Sequence, residues 1–335
     1  MIDLDAKVSF LQQPGSYPHR TERVDAIETH MSWVFLTDAF VYKLKKPVRT
    51  SFLDFSTLVL RKHFCEEEVR LNRRLAPRVY LQTVALVWAP AGLSLGGAGQ
   101  IIDWLVKMVR LPSDRMLDHA IRSGTVDSWD LDRLAARLTG FYRTASSIRM
   151  SVEDYLNRYR CDVLENRAAL SEATGVLPLS EVRSIHDAQI AFLLKAGSPL
   201  AARALEGNIV EAHGDLRPEH VFLGPDPQII DCLEFNRAFR CLDPLDELCF
   251  LAVECEALGA PAIGARILQE YCRATGDHPP GSLLDFYKCY RACLRAKLSF
   301  LHLREPKVRE PERWRRQARS YLQLAGRYAD QLLPC

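Results

Sequence analysis

The residues best equipped for chemistry fall within one short stretch. It reads Glu211-Ala-His-Gly-Asp-Leu-Arg-Pro-Glu-His220, then Val221-Phe-Leu223, Gly224-Pro-Asp-Pro227 and Gln228-Ile-Ile-Asp231. Two short apolar runs around a Gly-Pro-Asp-Pro turn predict a hairpin. Such a hairpin carries His220, just before its first strand, close to Asp231, just after its second, with Asp215 in the loop leading in. Two carboxylates and an imidazole at one edge suit phosphoryl transfer. That reaction asks the protein to hold a divalent cation on phosphates, to neutralise developing charge and to orient an acceptor hydroxyl. Asp231 is a hard oxygen ligand of the kind Mg²⁺ takes, and Asp215 is placed to accept the hydroxyl proton.

The segment His213-Gly-Asp-Leu-Arg-Pro-Glu-His220 resembles the catalytic loop of the aminoglycoside phosphotransferases and the His-Arg-Asp-Leu-Lys-Pro-Glu-Asn loop of protein kinases. The resemblance implies that Asp215 is the catalytic base, that Arg217 neutralises the transferring phosphate and that Asp231 binds metal. Asp243-Pro-Leu-Asp-Glu-Leu248 resembles the family's later Asp-Pro-x-x-Asp-Leu segment, where Asp246 would buttress the loop. His220 stands where the family has Asn. Imidazole is a softer ligand than an amide oxygen, so Mn²⁺ joins Mg²⁺ as a candidate ion on His220 and Asp231. The nearest resemblance is to an uncharacterised bacterial branch with this same His, sometimes fused to a separate P-loop kinase domain.

Kinase-like chemistry also needs a phosphate-binding lysine on a central strand, paired with a helix glutamate. In Phe40-Val-Tyr-Lys-Leu-Lys45, alternation puts Val41, Lys43 and Lys45 on one face. The family pattern wants a small apolar residue against adenine two positions before the lysine, which selects Val41 with Lys43 rather than Lys45. In Glu66-Glu-Glu68, Glu68 shares a helical stripe with Phe64, Leu71 and Leu75, and is the partner expected to point inward. Lys107-Met-Val-Arg-Leu-Pro112 is the expected hinge, with the backbone around Met108 facing the adenine edge. No glycine occurs between Gly15 and Gly92, so no glycine-rich phosphate loop fits the first hairpin. Gly96-Gly-Ala-Gly99 lies between two strands with no helix following, and reads as a turn.

These residues need a scaffold of two kinds. Strand-like runs at Ser32–Leu36, Ala39–Leu44, Val79–Trp88 and Gln100–Met108, with one helix over Phe55–Leu75 stopped by Pro77, predict a small β-rich lobe. Beyond Pro112, amphipathic segments at Leu131–Ile148, Val152–Leu170 and Leu179–Leu194 predict a helical lobe interrupted by the β-like island Val210–Phe235. The fold class that follows is α+β: a two-lobed protein-kinase-like fold with a nucleotide-binding lobe over residues 1–106, a hinge at 107–112 and a larger, mostly helical lobe over 113–335. That last lobe carries the catalytic loop and the acceptor site.

A chain of 335 residues with net charge +2 lacks the basic excess expected of a nucleic-acid partner. No run approaches the length of apolar sequence that spans a bilayer, and Asp3 and Asp5 stand where a secretory signal would be basic. The ten cysteines have no zinc-finger spacing, so reduced thiols and a cytoplasmic location are expected. The predicted activity is ATP-dependent transfer of the γ-phosphoryl group to a hydroxyl of a small molecule. The alternative is a nucleotide-binding, pseudokinase-like regulatory module with little turnover. The basic run Arg304–Arg319 reads as a solvated helix face, with contact to an anionic substrate as the other reading, and Tyr287, Tyr290 and Trp314 read as core or as pocket lining. The C-terminal basic character argues against a polycationic acceptor.

Overall fold

The structure, a computed structural model, describes residues 2–50, 52–195, 198–305 and 308–332. The fold is α+β, with a β-rich and a helical part. The chain divides into two compact units: residues up to Met116 together with His220–Phe239, and Leu117–Glu219 together with the residues from Arg240 onward.

The first unit is built on a sheet of β1 (Asp25–Glu28), β2 (Ser32–Leu36), β3 (Phe40–Lys45), β4 (Tyr80–Ala89), β5 (Gly92–Leu95) and β6 (Gln100–Val109). Their order is β1-β2-β3-β6-β4-β5, with every neighbour antiparallel. Alternation gives the sheet two apolar faces. Phe35, Tyr42, Leu44, Leu86 and Leu105 pack with Val8 and Leu11 of α1 (Leu4–Leu11). Tyr80, Val106 and Met108 pack with Cys65 and Val69 of α2 (Leu58–Asn72). Both helices are tied to the sheet by buried Asp103 of β6, which accepts hydrogen bonds from Lys7 and from Arg61, each at 2.7 Å. Helix α2 is shorter than the predicted Phe55–Leu75. Its start is set by the Thr57 hydroxyl, which accepts from the Leu60 N–H at 3.2 Å, and beyond Asn72 the backbone tightens into turns.

The remaining strands are two residues long: β7 (Val210–Glu211), β8 (Val221–Phe222), β9 (Gln228–Ile229) and β10 (Cys241–Leu242). Strands β8 and β9 form the expected hairpin. It belongs to the first unit because Leu223 exchanges hydrogen bonds with Arg115, its N–H donating to the Arg115 carbonyl at 2.8 Å and its carbonyl accepting from Nε at 2.9 Å.

The second unit holds α3 (Leu117–Ser123), α4 (Ser128–Thr144), α5 (Val152–Ser171), α6 (Leu179–Leu194), α7 (Pro199–Leu205), α8 (Pro244–Ala257), α9 (Pro261–Thr275), α10 (Gly281–His302) and α11 (Pro311–Asp330). Helix α4 begins before the predicted Leu131 because Asp127 caps it, accepting from the Asp130 N–H at 2.7 Å. Ile185, Ala292, Ala296, Leu322 and Ala325 join α6, α10 and α11 in one core. Helix α8 is buried around most of its circumference, acids included. Among the described residues no helix is long and apolar enough to cross a membrane, and the nine described cysteines are free thiols, seven of them buried.

Candidate functional site

In the first unit, β3 presents Val41, Lys43 and Lys45 on one face, as alternation requires. The Lys43 ammonium lies 3.0 Å from Glu68 Oε1 and 2.8 Å from Asp231 Oδ1. A strand lysine, a helix glutamate and the aspartate after β9 thus meet at one point, although 188 residues separate Lys43 from Asp231. Val41 is the register partner of Met108 on β6, so the two residues expected against adenine are neighbours on adjacent strands. His220 Nε2 lies 3.6 Å from Asp231 Oδ2.

Lys45, set aside on the sequence, has a separate place. Its ammonium is completely buried, donates to Glu68 Oε2 at 2.5 Å and to Glu234, and sits 4.8 Å from the centre of the Phe55 ring. Glu68 therefore serves both lysines, one carboxylate oxygen each. Lys43 remains 16% exposed, whereas Lys45 has no exposure at all. Lys43 is the lysine that a ligand can reach.

The electrostatics follow from burial and crowding. Burial pushes the Lys43 ammonium toward neutrality, but Asp231, Glu68 and Glu234 outweigh it and hold its pKa well above the lysine norm. Burial pushes the Glu68 carboxyl up, and Lys43 and Lys45 more than reverse that, leaving it below its ordinary 4.5. Glu234 goes the other way: burial raises it, and Glu68 adds to the rise against the pull of Lys45. Because Glu68 titrates below its unfolded value, its ion pairs contribute stability that is present above about pH 4.5 and is lost as the pH falls through the folded pKa. Tryptophan fluorescence followed through acid unfolding should show this loss, and Glu68→Gln, already weaker at neutral pH, should give a shallower acid limb.

Asp231 is held in a conformation that a non-glycine residue seldom adopts, with φ +63°. Three hydrogen bonds hold it there. The Tyr80 hydroxyl accepts from the Asp231 N–H at 3.0 Å, Asn72 Oδ1 from the Cys232 N–H at 2.9 Å, and the His220 carbonyl from the Ile230 N–H at 2.9 Å. Asn72 lies one helical turn after Glu68 on α2, a spacing visible in the sequence. Tyr80 and Glu234 gave no comparable signal.

In the second unit, the loop after β7 turns at Gly214, whose φ of +90° suits a residue without Cβ. Asp215 pairs with Arg217 Nε at 3.1 Å, and Arg217 reaches on to Glu219 at 2.8 Å. Burial lowers the Arg217 pKa, and Asp215 and Glu219 more than restore it. The buttress of this loop differs from the one expected. Glu247, not Asp246, accepts from the backbone N–H groups of His213 at 3.1 Å and Gly214 at 2.5 Å, and from the Tyr142 hydroxyl at 2.7 Å. Asp246 is occupied one residue earlier on α8, taking both prongs of Arg291 at 2.7 Å and the Tyr159 hydroxyl at 2.9 Å. One step along a helix turns a side chain by about 100°, so adjacent acids address different neighbours. Glu247→Ala would orphan three buried donors and should cost about 3–5 kcal/mol, measured by urea unfolding of the intact chain.

Tyr287 and Tyr290 belong to the core, their hydroxyls donating to Asp243 and Asp162. Trp314 stacks on His302, with ring centres 4.0 Å apart. Within the basic run, Pro306 and Lys307 lie outside the described residues.

No protein-family model matches the chain. It is 34% identical over 287 residues to the uncharacterized proteins Rv2004c of Mycobacterium tuberculosis strain H37Rv and Mb2027c of Mycobacterium bovis, a match covering 85% of this chain and 56% of each relative. The chain thus spans little more than half the length of these curated relatives. Among solved structures it is similar to choline kinase from Cryptosporidium parvum, with TM-score 0.57 and 10% identity over 99% of this chain and 98% of that one. It is also similar to a thermostable mutant of aminoglycoside phosphotransferase APH(4)-Ia in a ternary complex with AMP-PNP and hygromycin B, with TM-score 0.56 and 10% identity over 97% and 99%. A choline/ethanolamine kinase family protein from Mesorhizobium loti aligns with TM-score 0.51 and 13% identity over 97% and 98%. These likenesses show the fold: the chain shares its α+β architecture with these choline kinase and aminoglycoside phosphotransferase structures.

Proposed function

We propose that the chain is an ATP-dependent phosphotransferase that moves the γ-phosphoryl group to a hydroxyl of a small molecule. The observation that carries this reading is the Lys43 ammonium held between Glu68 and Asp231. A buried lysine would satisfy one carboxylate with less crowding. Here three charged groups converge where two of them, Lys43 and Asp231, remain partly open to a ligand.

In this reading Lys43, fixed by Glu68, contacts the phosphates, and Val41 and Met108 lie against the adenine. The donor set fits a divalent cation: a carboxylate 45% exposed, with an imidazole nitrogen 3.6 Å from it. Asp231 and His220 would hold the ion, and bound there it would offset phosphate charge. The imidazole makes Mn²⁺ a candidate beside Mg²⁺. Asp215 accepts the proton of the acceptor hydroxyl as its oxygen bonds to the γ-phosphorus and the bridging bond to the β-phosphate breaks, releasing ADP. Arg217 offsets charge on the group in transit. Neighbours of the same fold, a choline kinase and an aminoglycoside phosphotransferase crystallised with AMP-PNP, support small-molecule kinase chemistry and ATP.

A second reading is a nucleotide-binding module with little turnover, favoured by His220 in place of Asn and by the absence of glycine between residues 15 and 92. Calorimetric titration of ATP with Mg²⁺ or Mn²⁺, followed by incubation with γ-labelled ATP and a small-molecule extract, separates the two. Label entering small molecules supports the transferase. Binding without metal-dependent ATP consumption favours the module.

A further inference from the structure

The second unit contains a cavity of about 790 Å³, within the size range of small-ligand sites. Its walls come from α3, α8, α10 and α11, with Glu219 at one edge. Glu219 is the residue that Arg217 joins to Asp215, so a single shared arginine links the cavity edge to the proposed base.

The charges in its lining are unevenly matched. Each of its three acids already has an arginine: Asp118 pairs with Arg122 at 2.5 Å, Glu254 with Arg295 at 2.9 Å and Glu219 with Arg217 at 2.8 Å. Glu254 also accepts from the Tyr321 hydroxyl at 2.8 Å. Two arginines of α11 remain. Among the described residues Arg313 makes its one ion pair with Glu310, exposed on both sides and screened by solvent, and lies over the Trp314 ring at 5.5 Å. Arg316 lines the cavity and makes no ion pair among the described residues. Next to it, the Gln317 side-chain oxygen is buried with no hydrogen-bond partner among the described residues, and is chemically suited to accept from a ligand hydroxyl. A cationic ligand would meet acids already neutralised by guanidinium groups. An oxyanion would meet arginine with capacity to spare, and guanidinium binds carboxylate and phosphate through two parallel hydrogen bonds.

We propose that this cavity takes the phosphate acceptor, and that the acceptor carries an oxyanion, phosphate or carboxylate, seated on Arg316 and Arg313 in addition to the hydroxyl that is phosphorylated. The assignment rests on the phosphotransferase reading for the word acceptor, but the anion preference of the cavity does not. The basic run on α11 then has two sides. Arg315 pairs with Glu312 away from the cavity lining, and Arg316 faces a ligand.

The test has two arms. In the first, inorganic phosphate and acetate are titrated calorimetrically into wild type, Arg316→Ala and the Arg313→Ala/Arg316→Ala double variant, at fixed ionic strength with AMP-PNP saturating the nucleotide site. Affinity for at least one of the two ions should fall by about tenfold in Arg316→Ala and further in the double variant, and which ion responds separates phosphate from carboxylate. In the second, nucleotide consumption is compared for glucose 6-phosphate, gluconate, glucose and glucosamine. The anionic compounds should be preferred, with the preference lost in the double variant while its circular dichroism and unfolding midpoint stay as in wild type. Anion affinity indifferent to both arginines, or a preference for glucosamine, would overturn the proposal. Arginine-dependent anion binding without consumption of ATP for any compound would instead defeat the phosphotransferase reading and leave the cavity's preference standing.

Discussion

Asp215→Asn should abolish phosphoryl transfer while leaving nucleotide binding intact. The amide is nearly isosteric and can still accept a hydrogen bond, but it cannot take the proton of the acceptor hydroxyl. General-base contributions of this kind are about 10²- to 10⁴-fold in rate. The fold should tolerate the change, because Asp215 is partly exposed and its partner Arg217 keeps Glu219. Rapid-quench measurement of labelled product at saturating ATP, beside an ATP titration, gives the two numbers required. Loss of ATP affinity to the same degree as the loss of rate would mean that Asp215 holds the nucleotide site together rather than serving the acceptor. An unchanged rate would remove it from the chemistry altogether.

Replacing the two lysines of β3 one at a time should give opposite phenotypes. Lys43→Met leaves Glu68 its contact with Lys45 and leaves Asp231 partly solvated, so stability should change little. Activity should fall by about 10²- to 10³-fold, the usual loss when one aimed positive donor is removed from a site of developing charge. Lys45→Met removes the ammonium that donates to buried Glu234 and half of the pairing of Glu68 with the two lysines. Breaking a buried ion pair from one side costs about 3–5 kcal/mol, and the deficit should appear as a lower urea midpoint. If Lys45→Met proved the stable but inactive variant and Lys43→Met the unstable one, the nucleotide-facing lysine would be Lys45.

Much of this arrangement was legible in the sequence because local rules specify it. Alternation put Lys43 beside Val41, helical phase turned Glu68 inward, and a Gly-Pro-Asp-Pro turn between apolar pairs drew the hairpin that carries His220 to Asp231. Strand β2 and helix α6 match their predicted limits for the same reason. What was missed depends on contacts between residues far apart in the chain. Glu234 meets Lys45 across 189 residues, and Tyr80 meets Asp231 across 151; no periodicity encodes either distance. Helix α1 went unread although Asp3 caps it, accepting from the Ala6 N–H at 2.8 Å, because a stretch of eight residues offers barely two turns of pattern. The exchange of roles between Asp246 and Glu247 has a similar origin. The acidic pair is plain in the sequence, but which member faces the loop depends on a helix phase that only packing fixes.

Helix α8 carries four buried acids at or near its start and along its length, and each is fastened to a different place: Asp243 to Arg203 of α7, Asp246 to Arg291 of α10, Glu247 to the backbone of the 213–214 loop and Glu254 to Arg295 and to Tyr321 of α11. Lifting either end of the helix would strand a carboxylate or a guanidinium in an apolar interior, so partial opening carries nearly the whole penalty of full opening. The helix has no inexpensive way to breathe. The floor beneath Asp215 should therefore give way only when its entire unit does.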